Sequence, residues 1–274
     1  MRFGWYTYIL QKSQEGNKRK MTADSQNELL SVLLELGEEM YGSGAEVNRV
    51  EDTLSRIGRA YGALRMNVFA ITSTIVVTMT FPDGSLTQSR RIQSSGQTDF
   101  SKLEAYNALS RKCCMETPEP AELKKEIDAI RAMQPAPFKK EAGNVLASGA
   151  FAVFFGGTLW DGLAAAALGF LISRLSVRIV LKKPNRIIYN FIMSLITGTA
   201  AIVLCSLIPA LHSDKILIGD IMLLVPGIAM TNAAHDMMEG DTMAGILRLT
   251  ESLLWAAALA FGFILPLSVK GGIL

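Results

Sequence analysis

One apolar segment of this chain, residues 216–236, carries the residues whose types and spacing could bind a small molecule. Pro226 and Gly227 lie in its middle. Proline has no N–H and its ring clashes with the carbonyl four residues earlier, so we expect the helix to break there. An unpaired backbone group is costly in hydrocarbon, so such a break persists only where protein or a wet cavity satisfies it. The segment is therefore either a binding site near the middle of a bilayer or a proline kink that merely packs well.

Polar side chains follow this break in the same segment. Asn232 precedes Asp236 by about one helical turn and shares a face with it. A half-helix that begins near Gly227 would present free N–H groups and the positive end of its dipole, and a carboxylate is the expected partner of such an end. Asp236 could carry a coupling proton, as carboxylates inside membranes commonly do. It could equally lie in a loop at the cytoplasmic interface, beside Glu239 and Asp241.

The charged residues divide the chain into two halves. Residues 1–140 hold 19 Lys and Arg and 17 Asp and Glu, whereas residues 141–274 hold 8 of each class. The first half has the charge density of a soluble domain, and the second is too apolar for one. The net charge of +2 gives no indication of a nucleic-acid partner. Three cysteines without a CxxC spacing fit a reducing compartment without structural disulfides. The presence of only two histidines excludes a His-rich metal site, and we expect no cofactor, metal or catalytic residue.

The second half contains five stretches that could cross a bilayer, since roughly 20 apolar residues suffice for one span. They are residues 143–160, 162–181, 187–211, 216–235 and 245–269. Lys and Arg gather before the first stretch and between the second and third, which places those loops in the cytoplasm and the C-terminus outside. We therefore expect an α-helical polytopic membrane protein of about five transmembrane helices, the fourth interrupted at Pro-Gly. The predicted segments are a flexible N-terminus (1–24), a cytosolic α+β domain (25–140) and a transmembrane domain (141–274).

The cytosolic half shows the periodicities of a small α+β domain. Apolar residues recur at spacings of three and four over residues 26–41 and again over 47–61, which indicates two helices with one buried face each. Three β-type runs follow, and the turn signal Pro82-Asp83-Gly84 precedes the third. The β-type runs are residues 66–71, 74–81 and 86–92. Residues 99–114 and 119–133 are predicted to be helical, and Pro135-Ala136-Pro137 to form the joint to the first span.

A polar cluster opens the second of these helices. Ser43 and Glu46 fit a capping box, in which the serine caps the N3 amide and the glutamate reaches back. Arg49 is spaced to pair with Glu46 at i+3. Glu46 and Glu51 flank the apolar stripe of this helix, which suits an interdomain contact or a binding groove. A purely structural role as a helix cap with surface pairs is the alternative.

Three motifs together carry a resemblance to a known family. They are GAEVNRVEDTLSRIGRAYG, TSTIVVTMTFPDG and GDIMLLVPGIAMTNAAHDMMEGDTMAGILRL, and the likeness extends from about Glu28 to Gly262. The chain resembles the bacterial threonine/serine exporter family, and within it the larger subunit of a split two-subunit form. The resemblance implies a substrate pathway that includes Asp220, Pro226, Gly227, Asn232, Asp236 and Gly240. It also implies a cytosolic motif of Gly44, Glu46, Arg49 and Glu51.

The resemblance further implies substrates and partners. Members of this family are expected to export threonine and serine or, in the split form, dicarboxylates such as succinate. Long members continue into a second membrane block, and this chain stops at Leu274. A separately encoded smaller membrane subunit is therefore expected, and a homo-oligomer is also compatible with the resemblance.

Two functions from different classes fit the sequence. The first is a proton-coupled exporter of small carboxylates in the bacterial inner membrane, with the cytosolic domain as a gate or assembly platform. The second is a membrane-anchored binding or enzymatic module that uses Glu46, Arg49 and Glu51. One span suffices for an anchor, so five predicted spans with an interrupted helix favour the exporter.

Overall fold

The computed structural model describes residues 21–92, 98–134, 137–180 and 185–270. These residues form two compact units. The first unit contains the described residues up to Met133 together with Asn232–Leu247, and the second contains Gln134–Thr231 and the described residues from Arg248 onward. Most of the predicted flexible N-terminus, Pro135 and Ala136 of the predicted joint, and the basic residues Lys182 and Lys183 lie outside the described residues.

The elements follow one another along the chain in a helix–helix–sheet–helix order and then as helices alone. The first part forms α1 (Ala23–Gly42), α2 (Val47–Ala60), β1 (Arg65–Ile71), β2 (Thr74–Phe81), β3 (Gly84–Arg91), α3 (Phe100–Glu116) and α4 (Pro120–Ala132). The second part forms α5 (Pro137–Phe154), α6 (Leu159–Val180), α7 (Arg186–Leu207), α8 (Ser213–Leu224), α9 (Gly227–Met238) and α10 (Thr242–Lys270).

The first unit has the helices and strands that its sequence periodicity predicts. Thr22 caps α1 by accepting from the amide of Ser25, and α1 buries a leucine-rich face. The three strands form an antiparallel sheet in the order β1-β2-β3, and β2 alternates buried and half-buried residues along its length. Phe81 pairs with Gly84 across the predicted turn. The hydrophobic core of this unit also includes Ala244, which lies far along the chain in α10.

A cluster of ion pairs connects α4 with α1 within the first unit. Arg131 of α4 pairs with Glu35, with Glu39 at 2.7 Å and with Asp128 at 2.6 Å. Glu39 also accepts from the hydroxyl of the buried Tyr106, at 3.1 Å. A guanidinium presents several donors in a fixed plane, so one arginine can satisfy carboxylates on two helices.

The second unit packs its helices closely by means of glycine. A Cβ atom on Gly149 of α5 would lie 2.9 Å from the carbonyl oxygen of Gly162 in α6. A Cβ atom on Gly219 of α8 would lie 2.5 Å from the carbonyl oxygen of Ser148 in α5. Small residues allow helix backbones to approach in this way, which is the usual basis of helix association in membranes.

Among the described residues, fewer helices than the predicted five are long and apolar enough to cross a membrane. Three helical stretches are long and apolar enough to cross a membrane, and α8 with α9 forms a bent pair that brings the number to four among the described residues. The three stretches are Leu159–Ile179, Arg186–Leu207 and Thr242–Val269. The first predicted span, 143–160, is not one helix, because α5 ends at Phe154 and Gly156 takes a positive φ of 91°. Thr158 and Asp161 then cap the start of α6.

Candidate functional site

The predicted break at Pro226 is present in the structure. The backbone leaves the helix at Val225, whose amide still donates to Ile221 at 2.9 Å. Pro226 lies in the gap, and its carbonyl accepts from Met230 at 3.0 Å in the first turn of α9. The axes of α8 and α9 differ in direction by 52°. Two half-helices therefore meet where the sequence has Pro-Gly, because proline cannot continue the hydrogen-bond ladder of α8.

Asp220 of α8 is a fully buried carboxyl group in the N-terminal half of this broken helix. Its Oδ1 lies 2.5 Å from Oγ of Ser148 in α5, and Ser148 is fully buried as well. The same hydroxyl lies 2.8 Å from the carbonyl oxygen of Ala165 in α6. One serine thus connects three helices of the second unit. Buried polar groups need hydrogen-bond partners, and here each partner comes from a different helix.

Glycine residues beside this pair explain why the two side chains can meet. Gly219 precedes Asp220, and a side chain there would collide with the backbone of Ser148. Gly169 of α6 is also close to Ser148, since a Cβ at Gly169 would lie 2.8 Å from the serine Cβ. Both glycines have ordinary helical backbone angles. Their role is therefore to leave room, and the close approach places the Ser148 hydroxyl against the carboxyl of Asp220.

Asn232 and Asp236, the other polar residues predicted for the substrate pathway, belong to the first unit. Asn232 donates to the carbonyl oxygen of Gly44 at 3.1 Å. Asp236 is fully buried, and its Oδ1 accepts from the amide of Val47 at 3.2 Å. Asp236 lies inside α9 and not in a loop. The structure therefore separates the predicted pathway residues, with Asp220, Pro226 and Gly227 in the second unit and Asn232 and Asp236 in the first.

The N-terminus of α2 is capped differently from the predicted capping box. Glu46 occupies the N-cap position without a side-chain hydrogen bond to the helix. Ser43 instead ends α1, and its amide donates to the carbonyl of Glu39. Gly44 has a φ of 101° and turns the chain between α1 and α2. Ser43 therefore belongs to the end of α1. The amide of Val47, the first residue of α2, donates instead to Asp236 of α9.

Two further contacts of α9 lie beside this cap. Nδ1 of His235 lies 3.2 Å from the Glu46 carboxylate. Asn48 donates to Glu239 at 3.1 Å. Glu46 therefore pairs with a histidine of α9 where the sequence predicted Arg49, which is an exposed residue of α2.

Glu51, the last residue of the predicted cytosolic motif, supports the sheet. Its carboxylate accepts from the amide of Ala70 in β1 at 2.7 Å. Burial raises the pKa of Glu51, and the hydrogen bond from Ala70 opposes that shift. Gly44, Glu46 and Glu51 thus all have internal roles in the first unit. Within the described part of the chain, no group of three or more His, Cys, Asp and Glu side chains could hold a metal ion.

Sequence reasoning missed two groups of residues in the second unit. Ser148 is not part of any sequence motif. A hydroxyl group in an apolar helix is nevertheless a signal that could have indicated a polar contact inside the membrane. Asp161 is fully buried and accepts from the amides of Thr158 at 2.8 Å and His212 at 2.7 Å. Thr158 and Asp161 have the T-x-x-D spacing of a helix start, so a closer reading of the local pattern would have found this cap.

These features indicate a class of protein. A membrane helix broken in its middle, with a buried carboxyl group in one half, is typical of secondary transporters. Residues 31–269 match the family model described as "Putative threonine/serine exporter". The chain belongs to this family of membrane transport proteins, and the resemblance carried by its motifs is confirmed. Comparisons with curated proteins and with solved structures gave no match.

Proposed function

We propose that this protein is one subunit of a proton-coupled secondary transporter that exports small carboxylate metabolites across the bacterial inner membrane. The substrates are threonine and serine, or a dicarboxylate such as succinate. A smaller membrane subunit of the same family completes the pathway. Membership of the exporter family supports the class of substrate. The observation that carries the proposal is the broken helix α8–α9 with the fully buried Asp220 in its first half.

The break offers chemistry suited to a carboxylate substrate. The first turn of α9 begins at Gly227, and backbone amides at a helix start favour an anion. Apart from the adjacent residues and the backbone of α9 itself, no described heavy atom lies within 4 Å of the position that a Cβ on Gly227 would occupy. This space would allow a carboxylate to approach the backbone closely. Asn232 and Asp236 then act further along α9, where they hold the start of α2.

The first unit is the proposed cytoplasmic part of the transporter. Its contacts with α9 tie Gly44, Glu46 and Val47 to the second half of the broken helix. Its proposed role is that of a gate or an assembly platform. The alternative of an anchored module that uses the Glu46, Arg49 and Glu51 cluster has weaker support, because Glu46 and Glu51 are engaged in internal contacts.

The proposal is tested by measuring export from cells that lack their own threonine, serine and succinate exporters. The chain is expressed with a smaller membrane protein of the same family that is encoded beside it, and the loss of each labelled compound from preloaded cells is followed. We expect one of these compounds to leave faster only when both subunits are present. Cells with this chain alone are the matched control. Full export by this chain alone would contradict the two-subunit proposal, and no export of any of the three by the pair would contradict the exporter itself.

A further inference from the structure

The hydroxyl group of Ser148 lies between two oxygen atoms but has only one proton to donate. Oδ1 of Asp220 is 2.5 Å away, and the carbonyl oxygen of Ala165 is 2.8 Å away. A carbonyl can only accept, so a hydrogen bond to Ala165 uses the serine proton. The short contact with Asp220 is then satisfied only if the carboxyl group donates to the serine oxygen. In that arrangement Asp220 carries a proton, and the chain of donors runs from Asp220 through Ser148 to Ala165.

The second oxygen of Asp220 points to the same conclusion. Oδ2 is buried and has no hydrogen-bond partner among the described residues. An ionised carboxylate would leave a charged oxygen without a donor in an apolar bundle, which is strongly unfavourable. Among the described residues, no lysine, arginine or histidine forms an ion pair with Asp220, whose one side-chain hydrogen bond joins it to Ser148. A bound proton is the remaining means of neutralising this group.

The other two buried aspartates are held differently. Asp161 accepts from the backbone amides of Thr158 and His212 as well as from the Thr158 hydroxyl, which is 2.8 Å away. Asp236 accepts from the backbone amide of Val47. A backbone N–H can only donate, so it always favours the carboxylate form. A hydroxyl such as that of Ser148 can donate or accept, and it can therefore serve both forms of its neighbour. Asp220 differs from Asp161 in that, within the described residues, it has no backbone donor, and the Ser148 hydroxyl is the partner in its one hydrogen bond.

We infer that Asp220 and Ser148 form the proton-binding site that couples export to the proton gradient, an inference that rests on the proposed exporter function. Asp220 takes a proton from water on one side of the membrane, and a new O–H bond forms on its carboxyl group. The Ser148 hydroxyl then turns from the carboxylate to the carbonyl of Ala165. Release of the proton to water on the other side breaks that O–H bond and turns the hydroxyl back. One proton is bound and one is released in each cycle.

The inferred carrier of the coupling proton is Asp220, whereas the sequence suggested Asp236. Asp236 accepts a hydrogen bond from the first amide of α2, within the first unit. Its substitution would therefore alter stability before it altered proton coupling. Asp220 is in the half of the broken helix that precedes Pro226, so a change in its hydrogen bonds acts on the same helix as the break.

Infrared spectroscopy of the full chain in lipid vesicles, with its smaller partner, tests the site directly. A protonated carboxyl group absorbs at a different frequency from a carboxylate. We expect the wild-type protein to show a buried carboxylic-acid band that Asp220→Asn removes. Ser148→Ala should leave the band but shift its frequency, because the hydrogen-bond acceptor is gone. Asp214→Asn is the matched control in α8, since that side chain is two-thirds exposed, and it should leave the band unchanged.

Transport by the same vesicles separates the inference from the proposed function. With Asp220→Asn we expect exchange of labelled substrate without a gradient to continue, whereas accumulation driven by a pH gradient should fall at least tenfold. Gradient-driven transport by Asp220→Asn at the wild-type rate, or a spectrum with no band that depends on Asp220, would overturn the inference. A carboxylic-acid band that depends on Asp220, in vesicles that transport none of the three substrates, would support the proton site and refute the exporter.

Discussion

The amide nitrogen of Val47 donates to Oδ1 of Asp236 at 3.2 Å, although the two residues are 189 positions apart in the chain. The first amides of a helix have no partner within the helix, so they need acceptors from elsewhere. A negative charge at that end is also favourable to the helix dipole. Asp236 meets both needs of α2, and it does so from α9.

Removal of this acceptor should destabilise the first unit. We expect Asp236→Ala to lower the free energy of unfolding by about 1–3 kcal/mol, since a buried donor loses its partner. Asp236→Asn keeps an acceptor oxygen and should cost less. The measurement is denaturant unfolding, combined with hydrogen exchange of the amides at the start of α2. Met238→Ala, at an 85 % exposed position of the same helix, is the control. Unchanged exchange at Val47 in Asp236→Ala would contradict the capping role.

The two prolines of the membrane helices provide a matched test of the break. Pro226→Ala supplies an N–H that can donate to the carbonyl of Met222, so α8 and α9 should join into a straighter helix. We expect this variant to insert and to be as stable as the wild type, while export is lost. Pro266 lies inside α10, and Pro266→Ala should retain export. Equal export by both variants would show that the break has no part in transport.

The close packing around Ser148 makes a glycine substitution informative. Gly219→Ala places a Cβ 2.5 Å from the Ser148 carbonyl oxygen, so α8 must move away from α5. Overpacking of this kind costs about 1–3 kcal/mol, and we expect thermal unfolding at a lower temperature together with reduced export. No described heavy atom lies within 4 Å of a Cβ on Gly143 in α5, so Gly143→Ala should be neutral. Similar behaviour of the two variants would contradict the packing argument.

The buried carboxyl of Glu51 should make the stability of the first unit depend on pH. Its pKa is raised above 4.5 by burial, so the folded state binds this proton more tightly than the unfolded state. The contribution of Glu51 to stability therefore falls as the pH rises from the unfolded pKa through the folded one. Glu51→Gln removes this dependence and still accepts from Ala70. We expect the variant to gain stability relative to the wild type between acidic and neutral pH, as measured by denaturant unfolding.

The neighbouring residue provides the control for Glu51. Asp52 pairs with Arg56 at 3.3 Å, and its side chain is 61 % exposed. Exposed pairs of this kind contribute little to stability. Asp52→Asn should therefore leave the pH dependence of unfolding unchanged. A pH profile of Glu51→Gln that superimposes on that of the wild type would refute the effect of burial.

A reporter fusion tests the orientation and the number of spans. The distribution of Lys and Arg places the N-terminal half in the cytoplasm and the C-terminus outside, which requires an odd number of spans. A reporter that is active only in the cytoplasm should give a signal at Met1 and none at Leu274. A strong signal at both ends would mean an even number, with α5 outside the bilayer.

The helices and strands of the first unit were predictable because their signals are local. Gly42 ends α1 as its position predicts, and the Pro82-Asp83-Gly84 turn separates β2 from β3. The break at Pro226 was predictable for the same reason, since proline removes its own N–H. The prediction of one continuous helix over residues 143–160 was wrong at Gly156. The hydrophobic stretch continues through this residue, whereas the helix does not.

The contacts that build the candidate sites were not predictable, because they join residues distant in sequence. Ser43 and Glu46 satisfy a local capping pattern, but Asp236 provides the acceptor. Likewise, nothing in the sequence around Ser148 indicates that Asp220, 72 positions later, will lie against it. Periodicity shows which face of a helix is buried, but not which helix covers it.

The order of synthesis gives the long-range capping of α2 a further meaning. Val47 leaves the ribosome well before Asp236, and residues 134–231 of the second unit are made in between. Ala244, which is part of the core of the first unit, follows later still. The first unit therefore cannot reach its final packing until most of the membrane helices exist. A chain interrupted before residue 232 would lack both the acceptor for Val47 and the core residue Ala244, so its first unit would remain incompletely packed.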